Sequence, residues 1–190
     1  MTTAQLYSEL NNVNHSREKR LQYANLVLST PSLTPKLLNI LFMVNDKTSV
    51  RAAWILEFIC RKDIDFIAPY LNVFTENIKN IHLGPAVRTV AKICELLAMA
   101  YTNKTNNAIK TLLTQVHKDR IIETCFDYMI NNEKTAPKAY SMNTLFILGE
   151  EYKWVHPELF LILERDFKMQ SSGFKARARH ILNKINKNKT

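Results

Sequence analysis

The residues that could do chemistry are mostly cations. Arg51, Arg88, Lys138 and Lys175 each stand near the start of an apolar stretch, and Arg177 and Arg179 follow the last of them. Arg51 and Arg88 are 37 residues apart, and so are Lys138 and Lys175. On stacked, regularly spaced elements such positions form a ridge. A basic ridge can act as a track for phosphates or other anions. It can also act as a set of struts, if each cation pairs with an acid in the turn before it. Asp46 precedes Arg51 and favours the strut there. Arg88, Lys92 and Glu95, at i, i+4 and i+7, make one polar stripe on an otherwise apolar helix and favour a groove face. Trp54, Trp154 and Tyr140 are aromatic surfaces on which a base or a peptide ring could stack. Trp54 is set among apolar residues and reads as core. Trp154 lies in the turn Tyr152-Lys153-Trp154-Val155-His156 and reads as partly exposed. The candidate binding residues are therefore Arg88, Lys92, Glu95, Lys138, Lys175, Arg179 and Trp154.

Catalytic signatures are absent. His15, His82, His117, His156 and His180 stand singly, with no HExxH. Glu57, Glu95, Glu150, Glu151, Glu164 and Asp166 form no arrangement that general acid–base chemistry demands. No P-loop, GxGxxG or GxSxG occurs. Cys60, Cys94 and Cys125 are far apart in the chain, lie in apolar runs and form no CxxC, which suits buried, reduced thiols. No catalytic residue, metal site or cofactor is expected. The formal charge of +9 suits nucleic acid, an anionic membrane surface or an acidic protein as partner.

The elements that must position these residues are helices. The chain has 190 residues, enough for one domain, and 46% of them are hydrophobic, which excludes a disordered protein. Only three glycines are present, Gly84, Gly149 and Gly173, too few for the tight turns of all-β or dinucleotide-binding folds. Helices are expected from near Thr3, over 16–28 with Ser16 as N-cap, over 34–44 with Pro35 in the first turn, and from Ser49 as N-cap to about Arg61. Further helices are expected near 64–79, 85–101, 106–114, 118–131, 136–152, 157–169 and 173–186. Period-two alternation and hairpin turns are lacking. No linker divides the chain. The N-terminus has no signal-peptide pattern, and no apolar run approaches the ~18 residues of a membrane span, so a cytoplasmic protein is expected.

The helices repeat. Pro35-Lys36-Leu37-Leu38 is followed by Asp46 and by Val50-Arg51-Ala52-Ala53. Pro69-Tyr70-Leu71 is followed by Ala86-Val87-Arg88-Thr89, and Pro157-Glu158-Leu159 by Phe174-Lys175-Ala176-Arg177-Ala178. Ala136-Pro137-Lys138-Ala139 follows Ile121-Ile122 without the first proline. This pattern resembles the HEAT repeat family. There a proline opens the outer helix, an Asp or Asn sits in the turn, and a Val-Arg pair opens the inner helix. Residues 34–62 match best, 66–98 and 156–183 next, and 117–149 poorly.

The resemblance implies an all-α, right-handed α-solenoid of about four to five HEAT-like helical hairpins over residues 1–190. Residues 1–30 would be an N-terminal capping hairpin and 184–190 a basic C-terminal tail. In such repeats the arginine after the turn often pairs with the turn acid, here Arg51 with Asp46. The implied function is a non-catalytic binding or scaffold module working through a concave face. Its partner would be a protein or peptide segment, an acidic one included, or a nucleic acid. Certain HEAT-like proteins are DNA glycosylases, with aromatic residues and a carboxylate in a basic concave cleft. This chain shares the charge and a Trp on an inner helix, but matches no catalytic residue of that family. The stretches Arg51-Ala52-Ala53-Trp54 and Ala139-Tyr140-Ser141-Met142-Asn143 are also similar to short bacterial proteins labelled adenylosuccinate lyase. The mobile loop of true lyases has its nearest counterpart in Tyr140-Ser141-Met142-Asn143, which lacks the second serine, the proline and the lysine. That activity is not carried over.

Overall fold

A computed structural model describes residues 1–14 and 16–187. His15 and residues 188–190 of the expected basic tail lie outside the described residues. Among these residues there is no strand. The helices are α1 (Thr3–Leu10), α2 (Arg17–Ser29), α3 (Thr34–Leu41), α4 (Lys47–Lys62), α5 (Leu71–Asn77), α6 (Gly84–Thr102), α7 (Ala108–Leu112), α8 (Gln115–Ile130), α9 (Thr135–Leu148), α10 (Val155–Asp166) and α11 (Ser172–Lys187).

Local chemistry sets most of the starts. The Thr2 hydroxyl and the Gln5 side chain form a reciprocal capping box before α1. The Ser16 hydroxyl accepts from the Lys19 backbone N–H, as expected from its position. Pro35 and Pro85 lie in the first turns of α3 and α6, where a missing N–H leaves no helical bond unmade. At α4 the expected cap is corrected: Asp46, not Ser49, accepts from the Thr48 backbone N–H at 2.7 Å, and Ser49 is buried inside the helix. Residues 64–79 are not one helix. Short 3-10 turns at Ile64–Tyr70 and Ile78–Asn80 flank α5, because Pro69 cannot donate within a continuous α-helix.

Packing follows two rows. Helices α2, α4, α6, α9 and α11 touch one another in that order, so each is the neighbour of the next. On the other side α3 lies against α4, α8 against α9 and α10 against α11, while α1 packs on α3 and α5 on α8. Ala52 and Ala53 of α4 and Ala86, Ala91 and Ala98 of α6 are buried. Their small side chains let the helix backbones approach, while Ile55, Leu56, Ile59, Val87, Val90, Ile93 and Leu97 fill the space between.

Polar clamps join the rows. Lys118 of α8 is buried, and its Nζ donates to the Glu151 carboxylate at 2.6 and 2.8 Å and to the Tyr101 hydroxyl at 2.9 Å. This fastens the end of α6 and the turn after α9 to the start of α8. Asp46 accepts from the Tyr7 hydroxyl at 2.6 Å, which ties α1 to the α3–α4 turn. His156 packs against Gly149: its ring nitrogen lies 2.8 Å from the Phe146 carbonyl oxygen, and its ring stacks on Phe146. A Cβ at residue 149 would stand 2.2 Å from the imidazole Cδ2. Cys60, Cys94 and Cys125 are buried and unbridged, and Cys94 and Cys125 are neighbours in the core despite their distance in the chain.

Candidate basic cleft

Three helix stripes meet on the α2–α4–α6 row. Arg17 and Arg20 are one turn apart on α2. Trp54, Glu57 and Arg61 stand at i, i+3 and i+7 on α4, hence on one face. Arg88, Lys92 and Glu95 stand at i, i+4 and i+7 on α6, again on one face. Arg17, Arg20, Glu57, Arg61 and Arg88, with Leu21, Phe58 and Lys62, line a cleft of about 500 Å³.

Glu57 is the hub. It is 4% exposed. Its Oε1 accepts from Arg61 Nε at 2.9 Å and from Arg61 Nη2 at 2.6 Å. Its Oε2 accepts from Arg88 Nη1 at 3.0 Å. Both carboxylate oxygens thus hold guanidiniums, and the geometry is that of a counter-ion rather than of a proton-transfer group. The outer edges of the guanidiniums remain open, since the Arg61 and Arg88 side chains are 43% and 40% exposed. Arg20 completes the group. Its guanidinium lies 4.3 Å from the Trp54 ring centroid. Burial lowers the Arg20 guanidinium from its ordinary value, with Glu57 opposing that shift and Arg88 adding to it.

The arrangement continues toward α9. Lys92 Nζ donates to Glu95 Oε2 at 2.5 Å, and Asn143 Nδ2 donates to Glu95 Oε1 at 2.9 Å. Glu95 is 4% exposed, a second buried counter-ion. The Lys92 ammonium and the Arg88 guanidinium lie 4.9 and 5.8 Å from the Tyr140 ring centroid.

The expected site residues are therefore divided by the fold. Arg88, Lys92 and Glu95 share one face with Glu57 and Tyr140. Lys138 is 4% exposed, with the Asp166 carboxylate of α10 near enough to feel its charge, so it is not open to a partner. Lys175 is half-buried in the first turn of α11. Arg179 is exposed, lies 5.6 Å from the Phe167 ring centroid and lines a separate groove between α10 and α11. Trp154 is 54% exposed and stacks on Phe126 of α8, in the other row of helices. Trp54 is only partly buried, a correction to its reading as core. Arg51 donates from Nη1 to Asn11 Oδ1 at 2.7 Å, so its strut runs to the end of α1. The expected pair with Asp46 is corrected, because Tyr7 and the Thr48 backbone occupy that carboxylate.

Arg17, Arg20, Glu57 and Arg61 were not among the expected site residues. The signal was present in the i, i+3, i+7 spacing of Trp54, Glu57 and Arg61, which marks one helix face just as the i, i+4, i+7 spacing marked the α6 stripe. Among the described residues no group of three or more His, Cys, Asp and Glu could hold a metal ion. No helix among them is long and apolar enough to cross a membrane. No family model, curated protein or solved structure matches the chain.

Proposed function

We propose that this chain is a right-handed α-solenoid of HEAT-like hairpins that acts as a non-catalytic binding module, holding an anionic partner in the cleft between α2, α4 and α6. One observation carries this reading: Arg17, Arg20, Arg61, Lys62 and Arg88 surround a cleft whose only acidic lining residue is Glu57. Five cations and one carboxylate give the lining a net charge of +4. The successive contacts of α2, α4, α6, α9 and α11 support the solenoid. Buried Glu57 and Glu95 fix their cations before a partner arrives, so little side-chain freedom is lost on binding.

The test is binding of fluorescent polyanions, an oligonucleotide and an oligoglutamate, by anisotropy at rising salt. The reading expects at least one to bind, with affinity falling steeply as salt rises. Absence of binding to both at low salt would remove it.

A further inference from the structure

Resting on that reading, we infer that the partner is a nucleic acid, held by its phosphodiester backbone and not by its bases. Three features of the cleft favour this over an acidic peptide.

The first is the lining. Six of the eight side chains around the cleft are charged, and Leu21 and Phe58 are the two apolar ones. Peptide recognition draws most of its affinity from a few aromatic or aliphatic anchors in dry apolar pockets. This cleft has no such pocket. It has instead what a densely charged polymer needs, where displaced counterions drive association.

The second is the identity of the cations. Four of the five are arginines, and two of these, Arg61 and Arg88, are gripped on one edge by Glu57 with the other edge open. A fixed guanidinium fork accepts two oxygens of a phosphate at once.

The third concerns the aromatic rings. Trp54 carries the Arg20 guanidinium over its ring, and Tyr140 lies beneath Lys92 and Arg88. These faces are engaged with cations and are not laid out as a row of stacking platforms for bases. Recognition therefore depends on charge and follows no sequence.

The experiment uses the full chain and five probes of matched length: single-stranded DNA of two unrelated sequences, single-stranded RNA, duplex DNA and oligoglutamate. Binding is read by anisotropy from low to moderate salt. Each phosphate contact contributes about 0.7–0.9 to the slope of log affinity against log salt. The expected result is binding to nucleic acid with a slope of about −3 or steeper, with the two DNA sequences within about threefold of each other. Arg17→Glu/Lys62→Glu reverses two exposed cations at the cleft rim. It should weaken nucleic-acid binding at least tenfold and reduce the slope by about 2, with the melting temperature unchanged. The single-strand and duplex arms show which form supplies the backbone. Binding to oligoglutamate alone would overturn the nucleic-acid inference and leave the anion-cleft reading standing. Binding to none would overturn both. A hundredfold preference between the two DNA sequences would overturn backbone recognition.

Discussion

Replacing Glu57 with glutamine separates the two things this carboxylate does. Its oxygens receive three short hydrogen bonds from Arg61 and Arg88, and the residue is 4% exposed. Removing one partner of a buried ion pair costs roughly 3–5 kcal/mol. Here the guanidiniums are 43% and 40% exposed, so water screens them once the carboxylate is gone. The amide also keeps one acceptor oxygen. The expected loss is about 2 kcal/mol, which for a chain of this size lowers the melting temperature by roughly 4–8 °C. Thermal and urea unfolding followed by circular dichroism would show it as a lower midpoint at unchanged m value. Anion binding should become tighter, because the cleft gains one unit of positive charge. Unchanged stability would refute the role of Glu57 as the counter-ion that holds the cleft together. Lost anion binding with intact stability would instead make Glu57 a contact residue.

Gly149→Ala should destabilise by about 1–3 kcal/mol, since the new Cβ meets the His156 ring at 2.2 Å; the penalty should shrink in a His156→Ala background, measured as a double-mutant cycle. Trp54→Ala should cost about 1–2 kcal/mol by urea titration, below the ~3–5 of a fully buried aromatic, because the ring is partly exposed beneath Arg20. Arg51→Glu should cost less than about 1 kcal/mol, since Arg51 makes a rim hydrogen bond to Asn11 and no ion pair with Asp46. The Lys118 hydrogen bond, working against burial, holds the Glu151 carboxyl below its ordinary value. A depressed carboxylate contributes stability that is complete above its unfolded pKa, about 4.3, and is lost as pH falls through the folded value. Stability measured against pH should therefore decline below about pH 5, and Lys118→Met should flatten that decline.

The all-α class was legible because helix periodicity, proline positions and capping residues act locally, within a few residues of where they stand. Ser16 and Pro35 did what their positions implied. At α4, where Ser49 was expected as the cap, the fold uses Asp46, whose other oxygen also receives the Tyr7 hydroxyl. That partner is 39 residues away and invisible to local reading. The site was half legible for the same reason. Arg88, Lys92 and Glu95 announced a face by spacing within one helix. That Arg88 would meet Glu57, and Arg20 would cover Trp54, depends on which helices become neighbours. Lys138 shows the converse: it shares its repeat position with Arg51 but is buried near Asp166, so equal spacing in the chain did not mean equal exposure.

The most direct measurement is a titration of arginine side-chain N–H resonances with a single-stranded oligonucleotide and, separately, with oligoglutamate. The account predicts that the Nε–H signals of Arg20, Arg61 and Arg88 shift together and saturate with one common affinity for at least one of the two probes, while the Trp154 indole and Arg179 signals stay in place. Shifts confined to Arg179 and Trp154, with the α2–α4–α6 arginines unmoved, would contradict it.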